Sequence, residues 1–87
     1  MPYIVQFTRS ADRDLGKVAP FDRNRIIRKI AELAQAPRPV GVKKLRGAED
    51  FYRIRVGSCR VIYQILERAV TVTVVRVRHR REVYRGM

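Results

Sequence analysis

The run from Phe51 to Leu66, FYRIRVGSCRVIYQIL, constrains the fold of this chain more than any other stretch. Apolar residues alternate along Phe51 to Val56, placing Tyr52, Ile54 and Val56 on one side. They alternate again along Cys59 to Leu66, placing Val61, Tyr63 and Ile65 on one side. A period of two over such lengths marks a half-buried strand. Gly57 and Ser58 separate the runs, and a Gly-X pair is what a two-residue type II′ hairpin needs. With that pair as the loop, Val56 faces Cys59, Arg55 faces Arg60, Ile54 faces Val61 and Arg53 faces Ile62. Tyr52, Ile54, Val61 and Tyr63 then form a core face, while Arg53, Arg55 and Arg60 gather on the opposite one.

Like charges directly opposite one another destabilise a sheet. At roughly 5 Å and an effective dielectric near 20, Coulomb's law gives on the order of 3 kcal/mol per arginine pair before the side chains splay. No acid is placed to relieve this, because only Glu67 and Glu82 follow Asp50. The natural partner is an anion from outside the chain. Composition points the same way: 20 Lys and Arg against 8 Asp and Glu leave a formal charge of +12 on 87 residues. Such an excess implies a polyanionic partner, whether nucleic acid, acidic protein or anionic surface. The cations are also segregated. All four lysines precede Arg53, and from there on every Lys-or-Arg position is arginine, whose planar fork fits phosphate bidentately and stacks on bases.

A chain of this length makes one domain, residues 1–87, with a modest core and no deep interior. Any chemistry belongs on an open face or in a shallow groove. An apolar content of 46% suits a folded chain. No apolar run approaches the ~18 residues of a spanning helix, and the N-terminal MPYIVQF lacks a signal-peptide layout. The lone Cys59 allows no internal disulfide and fits a reducing compartment. A cytoplasmic protein without a membrane partner is therefore expected. Cys59, with one distant histidine and no paired Asp or Asn, reads as a small sheet residue beside the turn, not as a nucleophile.

The remaining segments complete an α+β order. Pro2 to Phe7 alternates as a first strand. Thr8 is placed to cap a short helix with Ala11, Leu15 and Val18 on one face and Asp12 and Asp14 near its start. Asp22 is placed to cap a longer helix, Arg23 to Ala36, with Ile26, Ile27, Ile30, Leu33 and Ala34 inward and Arg25, Arg28, Lys29 and Glu32 solvated. Pro37-Arg38-Pro39 ends it. Val40 to Asp50 reads as a connection carrying Lys43, Lys44 and Arg46 toward the arginine face. With Glu67-Arg68 as a turn, Val70 to Arg78 is the last strand. Val70, Val72 and Val74 then enter the core, Thr71, Thr73 and Val75 share the face of Arg60, and Arg76 and Arg78 outrun the core. The predicted architecture is an N-terminal strand, a helical hairpin and a three-stranded antiparallel meander, forming one antiparallel sheet with helices on one face.

The segment KLRG (Lys44 to Gly47), the hairpin FYRIR…CRVIYQI, the arginine-rich end of the last strand and the terminal HRREVY (His79 to Tyr84) together resemble the RelE branch of the RelE/ParE toxin superfamily. The resemblance spans nearly the whole chain, and it rests on order and spacing more than on any single motif. It implies a RelE-like fold and an endoribonuclease of a type II toxin–antitoxin system. Such an enzyme cleaves mRNA in the ribosomal A site and is silenced by a cognate acidic antitoxin. It works with a basic surface and neither metal nor other cofactor. The ribose 2′-hydroxyl attacks the scissile phosphate, so the site must move two protons and hold the charge building on the phosphoryl oxygens.

Carried over by residue, the resemblance places catalytic roles on Arg53, Arg55, Arg60, Arg80 and Tyr84, with Arg78 or Arg81 as alternatives to Arg80. Where the well-studied pattern has lysines, this chain has Arg53 and Arg55. Arginine is a poor proton shuttle, which casts both as phosphate clamps. Tyr84 and His79 are then the candidate proton carriers, with Tyr84 favoured. Lys43, Lys44, Arg46, Arg76, Arg78 and Arg81 are expected to contact RNA or the ribosome. Two other readings keep the same fold and charge: a ParE-like inhibitor of DNA gyrase, and a plain RNA-binding module.

Overall fold

A computed structural model describes residues 2–45, 47 and 50–79. Seven elements follow one another: β1 (Ile4–Phe7), α1 (Arg9–Lys17), α2 (Pro20–Gln35), β2 (Lys43–Lys44), β3 (Phe51–Val56), β4 (Cys59–Leu66) and β5 (Thr71–His79). The strands form one sheet in the order β1-β5-β4-β3-β2. β3, β4 and β5 are the expected antiparallel meander, and Gly57, at φ 59°, opens the tight turn that joins β3 to β4. The register is the one read from the Gly-Ser pair, from Val56↔Cys59 through Arg53↔Ile62.

The sheet is mixed where an antiparallel one was expected. β1 lies parallel to β5, Ile4 beside Thr71 and Phe7 beside Val74. Parallel neighbours need a long crossover connection, and here the chain between them includes both helices. β1 is also shorter than Pro2 to Phe7. Lys43 and Lys44, read as part of a loop, form a short edge strand in which Lys43 pairs with Arg53 and Lys44 with Tyr52.

Thr8 caps α1 as expected, its Oγ1 accepting from the Ala11 N–H at 3.1 Å. α2 starts three residues earlier than read, with Pro20 at its first turn and Ala19 as a cap that makes no side-chain bond. Asp22 therefore sits inside the first turn and is not the cap. Ile26, Ile30 and Leu33 are buried, but Ile27 is 48% exposed and faces away from the sheet. The core closes between these helices and Tyr52, Ile54, Cys59, Val61, Tyr63, Ile65, Val72, Val74 and Val77.

The largest departure lies in β5. The turn before it runs to Val70, which has φ 48° and is only partly buried. A register shift between Ile62 and Tyr63 then inserts one extra residue, Val75, into β5. Tyr63 faces Val74, but Ile62 faces Arg76 and Val61 faces Val77. Because side chains alternate across a strand, one inserted residue exchanges the two faces beyond it. Val77 is consequently 1% exposed within the core, and the strand does not outrun its core at Arg76 and Arg78.

A cluster at one end of the sheet ties the loop after α2 to the meander. Tyr63 is fully buried and its hydroxyl donates to the Pro37 carbonyl at 2.7 Å, while its ring stacks on Tyr52 at 6.0 Å. Arg38 lies over the Tyr52 ring and pairs with Glu67, which also accepts from the Tyr3 hydroxyl at 2.7 Å. The bonds from Tyr3 and Arg38 hold the Glu67 carboxyl below its usual range. Burial, with Tyr52 beside it, pushes the Tyr63 phenol up against an opposing pull from Arg38. A phenol raised in the folded state contributes stability that is complete below its unfolded pKa near 10 and is lost as pH rises above that value. The melting temperature should therefore fall above about pH 10, and Tyr63→Phe should flatten that fall while costing about 1 kcal/mol at neutral pH for the lost hydrogen bond. Thermal melts of both proteins from pH 7 to 11 check this; parallel curves would refute it.

Candidate nucleic-acid interface

The hairpin puts Arg53, Arg55 and Arg60 on the sheet face turned away from the helices, as the alternation requires. Arg55 stands directly opposite Arg60, and Arg60 stands directly opposite Arg78 on β5. Three arginines thus form one row across three adjacent strands. Arg53 sits two positions along, opposite Lys43 of the edge strand. The sequence placed Arg78 at the end of a strand whose phase put it on the core side; the bulge at Val75 moves it into the row.

β2 pairs with β3 only at Tyr52 and Arg53, so β3 is an open edge at Ile54 to Val56. A cleft of about 450 Å³ wraps this edge, lined by Lys29 of α2, Val40 and Gly41 of the preceding loop, and Lys43, Arg53, Ile54, Arg55 and Arg60. Five of its eight lining residues are cations and none is an acid, so the groove concentrates positive charge where an extended anionic chain could lie. Periodicity alone leaves Lys29 on a solvated helix face. Only the packing of α2 beside the β3 edge makes it a groove wall, and helical spacing carries no signal for that. Arg25, one turn earlier, rests its guanidinium on Gly57, where a Cβ would come within 2.9 Å of it.

The ion pairs among the described residues are Lys29–Glu32 at 3.9 Å, Arg38–Glu67 and Arg76–Asp14 at 2.9 Å. None of them engages Arg53, Arg55, Arg60, Arg78 or Lys43. Among the described residues no carboxylate relieves the self-repulsion of the row. Arg76, expected among the RNA contacts, is different: Asp14 of α1 holds its guanidinium through Nε and Nη2.

His79 stands opposite Cys59, which is fully buried in the core. Opposed residues share a face, so His79 lies on the other side of the sheet from Arg60 and Arg78, and the structure does not bring it into the row. Lys44, opposite Tyr52, likewise belongs to the helix side of the edge strand, although it remains exposed. Arg46, Arg80, Arg81 and Tyr84 lie outside the described residues.

Comparison with known proteins bears on what such a surface is for. A family model described as the ParE toxin of type II toxin–antitoxin systems, parDE, matches residues 5–84. The chain is 37% identical over 90 residues to the toxin RelG of Mycobacterium tuberculosis, covering 98% of this chain and 99% of that protein. It is 34% identical over 88 residues to the mRNA interferase toxin RelE of Escherichia coli, covering 97% and 92%. The toxin–antitoxin complex RelBE2 of Mycobacterium tuberculosis, a crystal structure, contains a chain that superposes with a TM-score of 0.80 at 34% identity, covering 92% of this chain and all of that one.

Proposed function

Since the chain belongs to the RelE/ParE superfamily of type II toxin–antitoxin toxins, we propose that it is a ribosome-dependent endoribonuclease that cleaves mRNA in the A site. The observation that carries this reading is the row Arg55–Arg60–Arg78 beside Arg53, free of carboxylates among the described residues, on an open groove. An RNA backbone is the anion that fits its length and charge. The relatives named RelG and mRNA interferase RelE support the same choice.

In this reading the 2′-oxygen forms a bond to phosphorus while the bond to the 5′-oxygen of the next nucleotide breaks, leaving a 2′,3′-cyclic phosphate and a 5′-hydroxyl. The 2′ proton must be taken up and the leaving oxygen must gain one. Arg53, Arg55, Arg60 and Arg78 hold the phosphoryl oxygens as charge accumulates on them, a role for fixed cations that never lose their protons. Tyr84 is the favoured proton carrier in this reading, and the position of His79 opposite Cys59, away from the row, supports that preference. Arg80 and Arg81 remain candidates to extend the row. No metal or other cofactor enters the scheme. An acidic antitoxin is the second partner, supported by the toxin–antitoxin complex of the relative and by the +12 charge of this chain.

Purified protein added to a translating extract should cut messages within codons and leave cyclic-phosphate ends, read by mapping the ends. Intact messages would overturn the proposal. The description of the matching family as ParE keeps the gyrase reading in view, and loss of DNA supercoiling by gyrase at the same dose, without message cleavage, would establish it instead.

A further inference from the structure

β1 covers β5 only as far as Val74. Beyond it, the outer edge of β5 is met by α1 and not by another strand. The Thr8 hydroxyl donates to the Val75 carbonyl at 2.8 Å, and the Thr8 N–H donates to Val74 at 3.0 Å. One turn and a half later, Asp14 accepts from the Val77 N–H at 2.9 Å and from Arg76 at 2.9 Å on the same oxygen. The Asp14 carboxylate is 8% exposed. Helix α1 therefore grips both sides of the inserted residue.

That residue decides which side of the sheet carries Arg78. Without the bulge, Arg76 and Arg78 would continue the phase of Val72 and Val74 into the core, and Val77 would face outward. The competing register is not absurd energetically, since a bulge leaves one residue unpaired and disrupts the ladder locally. Something must hold it. A buried carboxylate bound by a backbone N–H and a guanidinium is a strong, directional clamp, and it sits immediately before Arg78.

We propose that Thr8 and Asp14 are positioning residues for the arginine row, holding the β5 bulge so that Arg78 stands opposite Arg60 on the RNA-facing side. This rests on the nuclease reading for its effect on rate, but not for its effect on anion binding. Asp14→Ala should lower kcat/KM for message cleavage by about 10- to 100-fold, the scale expected when a positioned charged group is misplaced. Asp14→Asn keeps an acceptor for the Val77 N–H and should retain most of the rate. Melting curves establish the temperature at which each variant is fully folded.

A double-mutant cycle between Asp14→Ala and Arg78→Ala separates positioning from general stability. It is read as affinity for an uncleavable 2′-O-methyl RNA oligonucleotide at low salt, so it can be measured whether or not the protein cleaves messages. If Asp14 acts through Arg78, Asp14→Ala weakens binding in the wild-type background and has almost no further effect once Arg78 is alanine. Additive effects, or wild-type affinity in folded Asp14→Ala, overturn the proposal. A wild-type protein that leaves messages intact would overturn the nuclease reading alone, and the cycle would still decide the role of Asp14.

Discussion

Arg60→Ala is expected to lower the rate of message cleavage by about 10²- to 10³-fold, the usual effect of removing one preorganised group that stabilises transition-state charge. Arg60 occupies the middle of the row, opposed by Arg55 on one side and Arg78 on the other. Its loss removes the cation that stands between these two neighbours. The fold should not suffer. Arg60 is exposed and enters no ion pair among the described residues, so truncating it deletes no packing. The change also relieves two opposed like-charge pairs. Their bare Coulomb repulsion is reduced by splaying, solvent and salt to a few tenths of a kcal/mol each, so the variant should melt at the same temperature or slightly higher. Cleavage kinetics on programmed ribosomes and a thermal melt of the same preparation test both halves. Activity within a few-fold of wild type would remove the row from the reaction; a collapsed melt would make Arg60 a structural residue.

Binding to single-stranded RNA should weaken steeply with salt. Lys29, Lys43, Arg53, Arg55 and Arg60 line the groove, and Arg78 extends the row. If all six neutralise phosphates, the slope of log affinity against log salt is about −4, which takes about 300-fold from the affinity between 0.05 M and 0.2 M monovalent salt. The distribution of that slope is the sharper test. Lys29→Ala and Arg55→Ala should each make it shallower by about 0.7, the long, exposed contact of Lys29 with Glu32 being too weak to hold it from a phosphate. Arg76→Ala should leave it nearly unchanged, because Asp14 already holds that charge. A variant without Arg76 whose slope drops as far as the others would contradict the division between groove cations and structural cations.

That division could not be read along the chain. Arg76 and Arg78 are two residues apart, both arginine, both in the same strand. Alternation treats them alike, and it put both beyond the core. Asp14, which separates their fates, is 62 residues from Arg76 in sequence. The same limit explains Lys29. Helical periodicity correctly kept it off the buried stripe, but periodicity describes a helix in isolation and not the sheet edge against which that helix packs. The absence of Ile27 from the core has a similar origin, since the stripe reads as wide enough for it while the sheet meets only Ile26, Ile30 and Leu33. By contrast, Thr8 at its cap and the Gly57-Ser58 turn were legible because each depends on a few consecutive residues and on local sterics.

The sequence by itself determined the hairpin, its register and the gathering of Arg53, Arg55 and Arg60 on one face, because a two-residue turn and a period of two leave no other arrangement. It also determined the excess of positive charge, since charge balance is a property of composition. Only the tertiary structure decided the parallel pairing of β1, the edge strand at Lys43, the groove wall at Lys29 and the place of Arg78. Each depends on contacts between segments far apart in the chain, whose geometry is set by packing and by a single inserted residue that no local pattern announces.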